Sequence, residues 1–498
     1  MSPGRTLGRA DGPSRITKAM SAYLPMRGHA DVAFFKTLGD WLWGGPLLAA
    51  FLVVGLWYSF GSGFFQLFGL PVWWRATVGS LFRRKRGGEE SGEVTQFQAL
   101  STALAATIGT GSIAGVATAI AYGGPGAVFW MWMSALLGMM TGCGEKILAV
   151  RHRERGPDGR WRGGPMQYME KGLRLPGLAK IFALFCVAET LTGGNLAQAN
   201  SIATALSAAG GVNPVTVGVV LAAVTAIVLM GGIKRIGKLC ELLVPAMALL
   251  FVGCGLAVIA ANWQAVPGAL EQIVGYAFAP RAVAGGYAMG TALRYGVARG
   301  VFTNEAGVGM SAIAHACADV DEPAEQGMWG IFEVFFATMV ICTVTALVIL
   351  TSGVYDPAQM LPMAEGGAVP RELLGAPLTV AGFATLFGEA GEWIVSVSLI
   401  LFAFTSLIGS GYYGRRGVET LTSARWAQGL YHLAFPAFII LGAVGDVAAV
   451  WQVVDVFSGL LAAVNLPALL LLSPEALYLL RCWLEGQKKK MVNWEEST

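Results

Sequence analysis

Charge is scarce in this chain. Asp, Glu, Lys and Arg make up 13% of its 498 residues, about half of the ~25% usual in soluble globular domains. So little charge cannot cover the surface of a water-soluble protein of this length. The 55% of hydrophobic residues excludes a disordered chain. A net charge of +3 implies no nucleic-acid partner. Histidine is rarer still. His29, His152, His315 and His432 stand far apart, and there is no HExxH or GxSxG run, so a metal or serine hydrolase lacks its chemistry. No phosphate-binding loop occurs, which leaves an ion gradient rather than ATP as an energy source. The seven cysteines are scattered, odd in number and without a CxxC pair, and most lie in apolar runs where Cys acts as a small hydrophobe.

What remains is apolar sequence in long runs, with 67 glycines among it. Runs near 20 residues mark membrane spans. They fall at about 41–62, 98–121, 127–149, 177–205, 214–231, 239–260, 285–314, 327–352, 389–410, 429–446 and 449–473, eleven in all. Basic residues follow the odd-numbered spans: Arg75 and Arg83 to Arg86, Arg151 to Arg162, Lys234 to Lys238, Arg415 to Arg425, and Arg481 with Lys488 to Lys490. After the even spans Arg281 and Arg371 are the main exceptions. The bias of Lys and Arg toward the cytoplasm puts the C-terminus inside and the N-terminus outside. Residues 1–36 are themselves basic, which taken alone argues the reverse for span one; the later loops outweigh them. Span one is long and Trp-rich and lacks a small-residue cleavage site, so it reads as an anchor rather than a signal peptide. Trp73 and Trp74 followed by the Arg83–Arg86 cluster read as an interfacial belt and an anionic-lipid contact.

Two spans are interrupted. Span two contains Gly109-Thr110-Gly111-Ser112 and Gly115; span seven contains Thr303-Asn304-Glu305-Ala306-Gly307-Val308-Gly309. Unwound backbone at this depth is tolerated where it lines a cavity. Freed amides there can hold a carboxylate and freed carbonyls a cation. For the first run a small-residue packing face is the alternative. The two breaks open two blocks of five spans, and a five-span offset inverts topology. Breaks at matching places in inverted halves point to the site of a secondary transporter. A carboxylate such as Glu305 within a span costs about 2.5–3.5 kcal/mol to insert, so it faces a cation or a basic residue such as Arg299 or Arg294. Glu145, near the end of span three, has Lys146 and Arg151 for partners. Glu189 is the candidate proton site if coupling is to H+. His315 reads as structural. A channel would show filter repeats or pore rings instead.

Three motifs carry a family resemblance. The run Gly123-Gly124-Pro125-Gly126-Ala127-Val128-Phe129-Trp130-Met131-Trp132-Met133-Ser134-Ala135, the run Gly163-Gly164-Pro165-Met166-Gln167-Tyr168 and the run Arg299-Gly300-Val301-Phe302-Thr303-Asn304-Glu305-Ala306-Gly307 closely resemble the signatures of the alanine/glycine:cation symporters. The resemblance covers about Val94 to Arg425. It implies an all-α membrane protein with a LeuT-like core of two inverted five-helix repeats, two discontinuous helices and one extra N-terminal helix. The chain then divides into a basic tail (1–40), the extra helix with its interfacial segment (41–93), the two repeats (94–262 and 263–473) and a cytoplasmic tail (474–498). The implied activity is Na+-coupled symport of a small neutral amino acid by alternating access in the plasma (bacterial inner) membrane, with Na+ as the coupling ion, lipid as the surroundings and no organic cofactor; proton coupling is the alternative. Carried across by position, Thr110, Gly111, Ser112, Asn195, Gln198, Asn304, Ser406 and Ser410 bind substrate. Ala106, Gly109, Thr405, Ser406 and Glu305 bind the cation. Asn195 and Gln198 are three apart and so share a helix face. The chain departs from the pattern at Ser112 (usually Asn), Met310 and Ala312 (usually Ser and Pro), Ser410 (usually Trp) and Arg415 (usually Glu or Gln). Ser112 and Ser410 are both smaller than expected, which points to a substrate larger or more polar than alanine or glycine within the amino-acid class.

Overall fold

The computed structural model describes residues 34–495 apart from 36, 40, 82–93, 157–158, 279–288, 366–368, 370–373 and 446. The basic tail up to residue 33, the Arg83–Arg86 cluster, Arg281 and Arg371 lie outside the described residues. The described chain is almost wholly helical. The first half holds α1 (Gly45–Gly61), α2 (Gln96–Thr107), α3 (Ala114–Gly123), α4 (Gly126–Arg151), α5 (Pro176–Leu191), α6 (Ala197–Gly210), α7 (Pro214–Met230) and α8 (Gly232–Ala261). The second holds α9 (Met289–Asn304), α10 (Ser311–His315), α11 (Pro323–Val334), α12 (Thr343–Thr351), α13 (Ala376–Phe387), α14 (Glu389–Leu421), α15 (Arg425–Val444) and α16 (Val447–Glu495). A two-residue antiparallel pairing joins Glu154–Arg155 to Trp161–Arg162.

Local sequence explains many of the ends. Thr95 opens α2 with a reciprocal cap: its Oγ1 accepts from the Gln98 amide and Gln98 Oε1 accepts from the Thr95 amide, each at 3.1 Å. Proline stands in the first turn of α5, α7 and α11, where its missing N–H costs nothing. Asn213 caps α7 through the Val215 amide. Three helices outrun their expected spans; one is α14, which runs to Leu421 and carries Arg415 and Arg416 past the expected end near 410. The basic residues Lys234, Arg235 and Lys238 lie on the first turns of α8, not in a loop before it, because long cationic stems can reach water from a helix end. The last helix continues through Pro467 and Pro474 to Glu495, past the expected end near 473.

Among the described residues seven helices are long and apolar enough to cross a membrane. Large apolar side chains lie outward on them and on the shorter helices: Val53, Met230, Leu242, Leu249 and Leu433 are exposed. Scattered over many elements, they form a surface suited to lipid rather than water. Inside, α4 packs against α9 and α11, and α14 packs against α5 and α6. The interrupted helices α2–α3 and α9–α10 are held within this frame.

Candidate functional site

The first interruption spans 108–113. Gly109 is extended and Thr110–Ser112 form one 3-10 turn. A Cβ on Gly109 would lie 2.7 Å from Ser406 Oγ, so only glycine admits this approach of α14. The carbonyls around the break find partners from other helices, as buried backbone in a membrane protein must. Ser406 Oγ donates to the Ala105 and Ala106 carbonyls at 3.0 and 3.2 Å. Thr345 Oγ1 donates to the Ser112 carbonyl at 2.9 Å, and Thr379 Oγ1 to the Ile113 carbonyl at 3.2 Å.

The second interruption spans 305–310. Glu305, Gly307 and Gly309 have φ of 52°, 90° and 94°. Two of these are glycine as left-handed geometry favours, while Glu305 is the exception and carries a conformational cost. Asn304 holds the turn by accepting from the Ala306 amide at 3.0 Å while donating to Thr338 Oγ1. The Gly307 amide donates to Glu145 Oε1 at 2.9 Å, and Asn465 Nδ2 donates to both the Gly307 carbonyl and Glu145.

Glu145, in the last two turns of α4, is thus fully buried. It belongs to a fully buried network with Lys146, Glu333 and His315. Lys146 Nζ lies 3.3 Å from Glu145 and 3.1 Å from Glu333, and donates to Ser311 Oγ at 2.8 Å. His315 Nε2 faces Glu333 Oε2 at 3.2 Å while Nδ1 faces Gln326 Nε2, which requires the proton on Nε2. His315 is therefore a structural link. Arg151 pairs instead with Glu475 at 3.2 Å, and Arg299 with Asp455 rather than Glu305.

Between the two interruptions lies a cavity of about 30 Å³, room for two or three waters. The structure brings Ala106, Gly109, Gly111, Gln198, Glu305 and Ser410 to its wall. Gln198 ties two elements together: Nε2 donates to the Gly193 carbonyl at 3.2 Å, and Oε1 accepts a long 3.5 Å contact from the Thr110 amide. Thr110 Oγ1 and Ser112 Oγ are buried with no hydrogen-bond partner. Polar groups in that condition are what a polar ligand would satisfy.

Other expected residues are placed elsewhere. Gln198 is on the cavity wall and Asn195 is not; between their places the helix passes from the π turn Thr192–Leu196 into α6. Asn195 Nδ2 points to the Phe435 carbonyl at 2.8 Å. Thr405 Oγ1 donates to the Phe402 carbonyl, and Asn304 serves the break itself. Sequence reasoning missed Trp43, Phe302, Val308, Met310 and Ser458 as wall residues. Met310, a departure from the family pattern, and Ser410, which packs against Gly194, are both on the wall.

Residues 29–497 match the family described as sodium:alanine symporters. The chain belongs to that family. It is a transporter, not an enzyme, and an integral membrane protein. A sodium/alanine symporter of Methanococcus maripaludis is 39% identical, covering 89% of this chain and 95% of its own. A probable sodium/glutamine symporter of Bacillus subtilis is 37% identical over 87% of each chain. A putative sodium/proton-dependent alanine carrier of the same organism is 34% identical over 92% and 93%. A manganese transporter from Eremococcus coleocola overlaps it with a TM-score of 0.49 at 15% identity, over 78% of this chain and 82% of that one.

Proposed function

We propose that this sodium:alanine symporter family member couples Na+ entry to uptake of a small neutral amino acid by alternating access. The observation that carries the reading is the meeting of two interrupted helices at one buried cavity, with Gly109, Gly111 and Gln198 on its wall, Gln198 bridging to the Thr110 amide, and Thr110 Oγ1 buried without a partner on the same unwound stretch. The substrate carboxylate would be held by Thr110 and Gly111, with Ser112 adjacent, and its ammonium by Gln198 and the cavity carboxylate Glu305. A Na+ ion prefers hard oxygen ligands. The Ala106 carbonyl, the Gly109 backbone and Ser406 Oγ supply them where Ser406 now donates to carbonyls. Ser410 and Met310 set the room left for the side chain.

The architecture is read as two inverted five-helix repeats preceded by α1. The seven long apolar helices, together with α1, α7 and the two interrupted helices, make eleven crossings. The N-terminus is placed outside and the C-terminus inside. Arg162 approaches Glu419 at 3.6 Å, and Arg153 donates to the Ala316, Ala318 and Val320 carbonyls, so the two basic regions after spans three and nine meet the segment after span seven at one end. Gly61 of α1 accepts from Arg481 at that same end, while Trp43 before α1 donates to the Asp455 carbonyl at the start of α16.

The test is counterflow in proteoliposomes loaded with unlabelled amino acid. A carrier concentrates labelled alanine transiently against the preloaded pool; a channel shows no overshoot. A panel of serine, threonine, glutamine and larger neutral amino acids ranks the substrate.

A further inference from the structure

The cavity wall carries two carboxylates, Glu189 and Glu305, and no Lys, Arg or His. Each has a buried Oε2 without a hydrogen-bond partner. A neutral amino acid is a zwitterion and brings no net charge. One Na+, as in the function proposed above, leaves one carboxylate of the pair unbalanced in a low-dielectric interior, where an uncompensated charge is costly.

Glu189 is the carboxylate left over. It lies at the end of α5, one residue-run before the π turn, and is 3% exposed. Ser458 of α16 donates to its Oε1 at 2.9 Å and fixes the group, while Oε2 is buried without a partner on a residue of the cavity wall. The carboxylate lies against Gly193: a Cβ there would sit 2.2 Å from Oε1. Wide turns of this kind are frequent at functional sites, and here one brings Gly193, whose carbonyl accepts from Gln198 Nε2 at 3.2 Å, to the same wall as Glu189. No basic side chain among the described residues pairs with Glu189; the nearby Arg299 is engaged with Asp455 at 3.3 Å.

We propose that Glu189, with Ser458 and the Gly193 carbonyl, forms a second Na+ site, separate from the site at Ala106, Gly109 and Ser406. Its donors are a carboxylate, a hydroxyl and a carbonyl, the hard oxygens that an alkali cation takes. The inference rests on the Na+-coupled reading, and its test is independent of which amino acid is carried.

The experiment is equilibrium binding of 22Na+ to the purified full-length protein in detergent. Wild type is expected to bind two Na+ per chain and Glu189→Gln one. Ser458→Ala is expected to bind two with several-fold weaker affinity at one site, and this milder variant serves if Glu189→Gln does not fold. An unchanged stoichiometry and affinity in both variants overturns the proposal. A wild type that binds one Na+ overturns it and leaves the Na+-coupled reading standing; a wild type that binds none overturns both.

Discussion

At the scale of single residues, the account rests on what each side chain at the cavity touches. Gln198 is the one side chain there that bonds to both the unwound stretch of span two and the π turn of span four. Gln198→Ala should reduce initial uptake rates at least tenfold in protein that still reaches the membrane, as measured with labelled alanine. In the proposed account Met310 and Ser410 act on size in opposite directions. Met310→Ser should raise uptake of larger neutral amino acids relative to alanine, and Ser410→Trp should lower it; an unchanged ratio in a competition panel would remove both residues from the specificity account. Gly109→Ala places a methyl 2.7 Å from Ser406 Oγ, which displaces the hydroxyl from the Ala105 and Ala106 carbonyls. A rise in half-saturating Na+ or a loss of Na+ dependence should follow.

At the scale of elements, the two interruptions are wired from outside by other helices. The second depends on the buried Glu145–Lys146–Glu333 network, which meets the Gly307 amide at one end and Ser311 at the other. Lys146→Met leaves two carboxylates buried without their cation. Breaking such a pair typically costs about 3–5 kcal/mol, so a large drop in the unfolding temperature in detergent is expected, with partial recovery in Lys146→Arg. Both interruptions were legible in the sequence because glycine and polar residues inside an apolar run have no other easy use at that depth. The π turn at Thr192–Leu196 was not. One extra residue per turn leaves no mark in composition, and of the two residues that i,i+3 spacing placed together only Gln198 is on the cavity wall. Trp43 and Ser458 were equally invisible, since each reaches the cavity from an element remote in sequence from the interrupted helices. The pairing of Glu145 with Lys146 was legible from their adjacency; that the pair is fully buried and extends to Glu333 and His315 was not, because those partners come from elements remote in sequence.

At the scale of the whole molecule, the low charge and long apolar runs already required a lipid surrounding, and the exposed leucines and valines of the outer helices meet it. The basic loops gather at one end, where Arg153 and Arg162 contact the 316–320 and 415–419 regions. A fluorescent protein fused at the C-terminus should therefore fold and emit in the cytoplasm, whereas a C-terminal alkaline phosphatase fusion should be inactive; the reverse pattern would invert the proposed orientation. The central claim is that a Na+ gradient drives amino-acid accumulation through this fold. The most direct measurement is uptake of labelled alanine and the amino-acid panel into proteoliposomes with an inward Na+ gradient, against an equal choline gradient. The account predicts that at least one small neutral amino acid accumulates above its external concentration with Na+, and that the accumulation collapses when a Na+ ionophore dissipates the gradient. Equilibration without accumulation, or accumulation indifferent to Na+, would contradict it.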